Sequence, residues 1–203
     1  VVLSVLTILG GLRVWQNVWR AEALRGYVAA LRTAQEPAVP HLTPGTRTYL
    51  DTSARDFADL KTPFVAFRTL AEVWEQDFKA AKDRVSDVVP PAELLPAHAD
   101  LIQGLDMYAG VARLYHLASQ QREIGAGLSG DARAAVEEKV QVTLQHAREW
   151  ANRAAAVYSL GGAAIEALEL EWLGEEPSRA LPEEPRFLVP TTPPPEVTPA
   201  PAG

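Results

Sequence analysis

The chain contains no cysteine. Disulfides, thiolate zinc sites, iron–sulfur ligation, covalent haem attachment and cysteine nucleophiles are excluded together. The lipobox cysteine of a bacterial lipoprotein is likewise missing from these residues. Histidine is scarce, with four in 203 residues, and no Glu is followed by His three positions later. That Glu-x-x-His spacing is how di-iron and di-manganese bundles aim two ligands at their centre. His146 and Glu149 carry the pair once, in reverse order. Basic residues are few, mostly Arg and scattered, and the net charge is −7. A nucleic-acid footprint needs a basic stripe, so nucleic-acid binding is not expected. None of Gly10-Gly11, Gly104 and Gly161-Gly162 follows a strand pattern or precedes Lys-Ser or Lys-Thr, so none is a phosphate loop. No nucleophile elbow surrounds any serine. No cofactor, metal or catalytic residue is expected, and the chain reads as a non-enzyme.

What is present is hydrophobic periodicity. Hydrophobic residues make up 47% and charged residues 22% of the chain, the balance of a globular protein. Much Ala, Leu, Arg, Val and Pro with little Lys suggests a bacterium of high GC content. Residues Val1 to Leu12 carry no charge, and Arg13, Trp15, Trp19 and Arg20 follow. Paired Trp and Arg at the end of an apolar run are the pattern of a membrane interface. The run is shorter than the about 20 residues that cross a bilayer. Because the chain does not begin with Met, 1–19 is expected to be an anchor segment truncated at its start. A core helix and a signal-peptide remnant are the other readings. Val14, Val18, Ala21, Leu24, Val28 and Leu31 continue one face, which predicts a single helix running from the membrane into a bundle.

Pro37, Pro40 and Pro44 end that helix, and Thr43-Pro44 suits the start of the next. Phe57, Leu60, Phe64, Phe67, Ala71, Trp74, Phe78, Ala81, Val85 and Val88 then alternate steps of three and four, a heptad seam that requires helical partners. Pro63 inside it predicts a kink, or a break capped by Thr62. Beyond Pro90-Pro91, with Pro96 in the first turn, Leu94, His98, Leu101, Leu105, Tyr108, Ala112 and Tyr115 repeat the pattern. Gly125, Gly127 and Gly130 mark a turn, with Ser129 or Asp131 as cap. A last helix from about Asp131 to Leu173 has the expected seam Val136, Val140, Thr143, Ala147, Trp150, Ala154, Val157 and Gly161. The expected fold is all-α: an up-down bundle of about four long helices over 20–174, its first helix continuous with the membrane segment. A Pro-rich extended tail, 175–203, follows. Within it Phe187-Leu188-Val189 is an apolar island between Arg186 and Pro190. It reads either as an incidental part of a linker or as a partner-docking segment stiffened by its prolines.

His98 is the one histidine on a seam. It reads as a ligand, a pH-sensitive core group, or a side chain bonded to a backbone carbonyl near Pro90-Pro91. Met107 lies on a different turn and does not oppose it across a haem. His41 falls in a Pro-rich loop and His116 lies off the seam.

Val89-Pro90-Pro91-Ala92-Glu93-Leu94, with His98, Leu101, Gly104-Leu105 and Tyr108, resembles a stretch of uncharacterised bacterial envelope proteins built as helical hairpins. The resemblance implies an extracytoplasmic bundle and transfers no catalytic residue. The expected function is a membrane-anchored scaffold or accessory subunit of a bacterial cell-envelope complex, single-pass in the inner membrane. Its expected partners are other envelope or membrane proteins, the bilayer through the N-terminal segment, and further copies of itself in a homo-oligomer. The alternative is a ligand sensor resembling the extracytoplasmic four-helix domains of chemoreceptors. Orientation is divided: Arg13, Arg20 and Arg25 point to the cytoplasm by the positive-inside rule, the Pro/Thr-rich tail and the envelope resemblance to the outside.

Overall fold

The computed structural model describes residues 2–42 and 53–173, with side chains from Trp15 onward except those of Gln16, Asn17 and Leu173. Helix α1 runs unbroken over Val2–Gln35, and α2 is a single turn, Val39–Leu42. A short helix, α3, covers residues 53–58. Helix α4 is Phe64–Ser86, and α5 is Leu95–Ala126, entered through the 3-10 turn Ala92–Leu94. Helix α6 is Gly130–Leu173. Among the described residues there is no strand.

Proline sets the boundaries. α1 stops at Gln35, two residues before Pro37, where the Ala38 amide donates to the Gln35 carbonyl at 2.8 Å and closes the turn into α2. At Pro63 the chain breaks outright. Leu60 takes a left-handed φ of 62°, and the amides of Lys61 and Thr62 both donate to the Asp56 carbonyl. Pro63, not Thr62, occupies the N-cap of α4, and no side chain caps that end. The proline there loses no helical hydrogen bond, because first-turn amides have no intrahelical acceptor. Leu60, expected on the seam, is turned outward by this conformation and is 64% exposed.

The α4 seam is otherwise as its spacing predicts: Phe67, Ala71, Trp74, Phe78, Ala81 and Val85 are buried. Phe67 stacks on Phe57 of α3 at 4.2 Å and meets Tyr115 of α5 edge-on. Farther along α4, Phe78 stacks on Tyr108, earlier in α5. The two helices are therefore antiparallel. α5 and α6 are antiparallel too, with Gly125 against Val136, Gly104 against Tyr158, and Gly161 against Ala97. α1 packs against α4 and α6, burying Leu24, Tyr27, Val28, Leu31 and Ala34. Each such large apolar side chain contributes about 1.5–3 kcal/mol on full burial.

The seam of α6 departs from its expected course. Val140, Ala147, Ala154 and Gly161 are buried as predicted, but Trp150 is 43% exposed and Val157 only half-buried. The second buried column is Leu144, Ala151 and Tyr158. It lies on the other flank of the predicted one, where Tyr158 fits against the side-chain-free surface of Gly104.

Candidate functional site

The residues expected at a membrane interface gather where α1 enters the bundle. Trp15 and Trp19 are one helical turn apart and so share a face. Their rings meet edge to face at 5.6 Å and stay 60% and 58% exposed, with Val18 exposed beside them. Arg20 does something different. Its guanidinium lies 5.6 Å from the centre of the Trp172 ring and 3.9 Å from the Glu93 carboxylate. It thereby ties α1 to the last turn of α6 and to the turn preceding α5. A cation–π contact at an exposed site contributes about 0.5–1 kcal/mol and so wide an exposed ion pair less. Its role is positional. The Arg13 side chain lies outside the described residues, as do Phe187, Leu188 and Val189. Among the described residues no helix is long and apolar enough to cross a membrane.

Farther in, two buried polar pairs fix the register of α1. The Tyr27 hydroxyl lies 3.0 Å from His98 Nδ1, and the Tyr158 hydroxyl donates to Gln35 Oε1 at 2.9 Å. Burial, which penalises the charged ring, pushes the His98 pKa below the ordinary histidine value. Burial likewise pushes both tyrosine hydroxyls upward, with the neighbouring Tyr108 adding to the effect at Tyr158. His98 is thus bonded to a side chain of another helix, not to a carbonyl near Pro90-Pro91. Neither partner was legible beforehand. Tyr27 adjoins the Leu24–Val28–Leu31 face, but nothing in its spacing marks it for His98.

His41 also finds a place that its Pro-rich surroundings hid. It lies in α2, with Nε2 2.7 Å from Asp77 Oδ2 and its ring against Trp74 and Phe78. His116 stands 3.4 Å from Glu72 and hydrogen-bonds Gln120. Among the described residues no group of His, Asp and Glu is arranged to hold a metal ion.

At the far end Arg122 is the hub. Buried to 9% exposure, it donates to the Phe57 carbonyl, pairs with Glu137 of α6, and lies 4.1 Å from the centre of the Phe57 ring. Beside it a cleft of about 300 Å³ is lined by Phe64, Arg122, Arg133, Val136 and Glu137, among others. Compared with known proteins, the chain matches no family model, no curated protein and no solved structure.

Proposed function

We propose that this chain is a non-enzymatic, membrane-anchored scaffold or accessory subunit of a bacterial cell-envelope complex, with α1, α4, α5 and α6 as an up-down bundle of four helices. The observation that carries this reading is the continuity of α1. One helix of 34 residues leads from an uncharged apolar run, past an exposed tryptophan pair, to hydrogen bonds inside the core. A segment of that kind couples a membrane position rigidly to a bundle. α6, at 44 residues, makes the bundle a rod of about 66 Å. Two titratable groups inside it are held by neighbours, His98 by Tyr27 and Arg122 by Glu137. The extracytoplasmic side follows the envelope resemblance and the tail composition.

Phe187-Leu188-Val189 is the segment assigned to partner binding. Its expected partner is another envelope or membrane protein, or another copy of the chain. A second reading, an extracytoplasmic ligand sensor, draws on the cleft beside Arg122 and Arg133.

Membrane fractionation tests the anchor. The native chain should resist carbonate extraction, and a Leu6→Arg, Ile8→Arg variant should become soluble with unchanged helix content. Release of the native chain by carbonate would remove the proposal.

A further inference from the structure

The cleft beside Arg122 is built where three elements meet. The turn before α4 supplies Thr62 and Pro63, the end of α5 supplies Arg122, and the start of α6 supplies Arg133, Val136 and Glu137. At about 300 Å³ it stands at the lower end of small-molecule sites, which run from about 300 to 1,000 Å³. The chain break at Pro63 shapes it. Leu60 takes its left-handed φ there, an uncommon conformation for a branched side chain, and lines the cleft instead of the α4 seam.

The charges around the cleft do not balance. Two guanidinium groups and one carboxylate line it. That carboxylate, Glu137, is already engaged: it accepts from Nε and Nη2 of Arg122 and from Nε2 of Gln141. Arg133 is exposed and has no hydrogen-bond or ion-pair partner among the described residues. One positive charge is left over.

Arg122 points the same way. A guanidinium has five N–H donors. Arg122 gives three to protein acceptors, from Nε and Nη2 to Glu137 and from Nη1 to the Phe57 carbonyl. Its side chain is buried to 9% exposure, so two donors are left in a place that water hardly reaches. Buried donors are rarely left unmatched, and an acceptor in the cleft would complete this set. The end of α4 in the same wall has neither a side-chain cap nor an acidic residue in its first turn, which adds to the positive sign. Apart from Thr62, the rest of the lining is apolar, chiefly Leu60, Pro63, Phe64 and Val136.

We propose that this cleft binds a small organic carboxylate with an apolar body. The spare donors of Arg122 and the Arg133 guanidinium hold the acid group, since forked N–H groups match the two oxygens of a carboxylate. Leu60, Phe64 and Val136 cover the hydrocarbon. A single uncompensated charge suits a monoanion better than a phosphate, and it disfavours amines. The proposal gives a ligand class to the cleft on which the sensor reading draws, and it holds whether or not binding is relayed to a partner.

Calorimetric titration of the full chain with phenylacetate, its neutral counterpart phenylacetamide, and inorganic phosphate tests this. Phenylacetate should bind at one site, at least about tenfold more tightly than either of the others. Arg133→Gln should weaken it at least about fivefold, and Ala126→Trp, which fills the cleft and leaves both arginines in place, should abolish it. Arg148→Gln, at an exposed position of α6 about 22 Å from Arg133, should leave binding unchanged. All three substitutions fall at exposed positions, so unchanged helix content is expected and checks that the variants fold. Equal binding of phenylacetate and phenylacetamide would overturn the carboxylate class and leave the cleft an apolar site. Tighter binding of phosphate would overturn it in favour of an inorganic anion. Phenylacetate binding that survives both Arg133→Gln and Ala126→Trp would overturn the location. Binding of none of the three would remove the cleft as a ligand site and the sensor reading with it, leaving the scaffold reading standing.

Discussion

Gly161 of α6 faces Ala97 of α5 so closely that a Cβ built on it would stand 2.6 Å from the Ala97 carbonyl oxygen. Gly104 meets Tyr158 in the same way, at 2.8 Å from its Cβ. Two helices approach here because each supplies a glycine at the crossing. Gly161→Ala should destabilise the bundle by about 1–3 kcal/mol, since the obstructing atom is backbone and cannot step aside. Gly26, in the exposed face of α1, has nothing within 4 Å of its missing Cβ. The same substitution there should stabilise by about 0.5–1 kcal/mol through helix propensity and the unfolded chain. Urea denaturation of the two variants should move the midpoint in opposite directions.

The bond between Tyr27 and His98 predicts a non-additive pair. His98→Leu strands a buried tyrosine hydroxyl and should cost about 1–3 kcal/mol, with Tyr27→Phe costing about 1. The double variant should fall short of their sum by about 1 kcal/mol, because neither partner is left unmatched. Additive losses would show that the contact carries no energy of its own.

His98 also gives stability a pH dependence. Its pKa is lower in the folded state than the ordinary 6.5, so the unfolded chain binds the extra proton more readily. This contribution is fully present above the ordinary value and is lost as the pH falls through 6.5 toward the folded-state pKa. His98→Leu should flatten that part of the profile. A separate loss comes in more acidic solution from Glu75. Burial alone would raise its pKa, but hydrogen bonds from Lys79 and Arg113 bring it net below 4.5. Its contribution is present above that value and disappears as the pH falls below it. Melting temperatures of the two chains across this range test both slopes.

Trp74 and Phe67 are 3% and 0% exposed and both pack on Tyr115. Trp74→Ala and Phe67→Ala should each cost about 3–5 kcal/mol, the range for large aromatic truncations in close-packed cores. A loss below about 1 kcal/mol, typical of surface positions, would contradict the packing described.

The seam of α4 was legible because its aromatic residues Phe67, Trp74 and Phe78 share one face with Val85, whereas only the smaller Val65 and Val73 stand exposed off it. α6 was harder. The column Val140, Ala147, Ala154 and Gly161 was readable, but apolar residues flank it on both sides. Trp150 and Val157 lie on one flank, and Leu144, Ala151 and Tyr158 on the other. Spacing cannot choose between flanks; the choice is made by Gly104 across the interface, which accepts Tyr158. The tryptophan left outside still covers Gly110, where an added Cβ would meet its ring at 3.1 Å. Of the candidate site, Trp15, Trp19 and Arg20 could be picked from the sequence because they follow an uncharged run. Tyr27, Gln35, Arg122 and Trp172 could not, since each takes its role from a partner distant in the chain.

α1 has one more property, and it is mechanical. Between Val2 and Gln35 there is no hinge, and the two bonds that hold the helix in place, at Tyr27 and at Gln35, sit more than two turns apart on the same rod. Tension applied along that rod from its N-terminal end would reach both bonds at once and load them sideways, in shear. A strand peeled from an edge gives way one contact at a time; this helix has to slide as a unit.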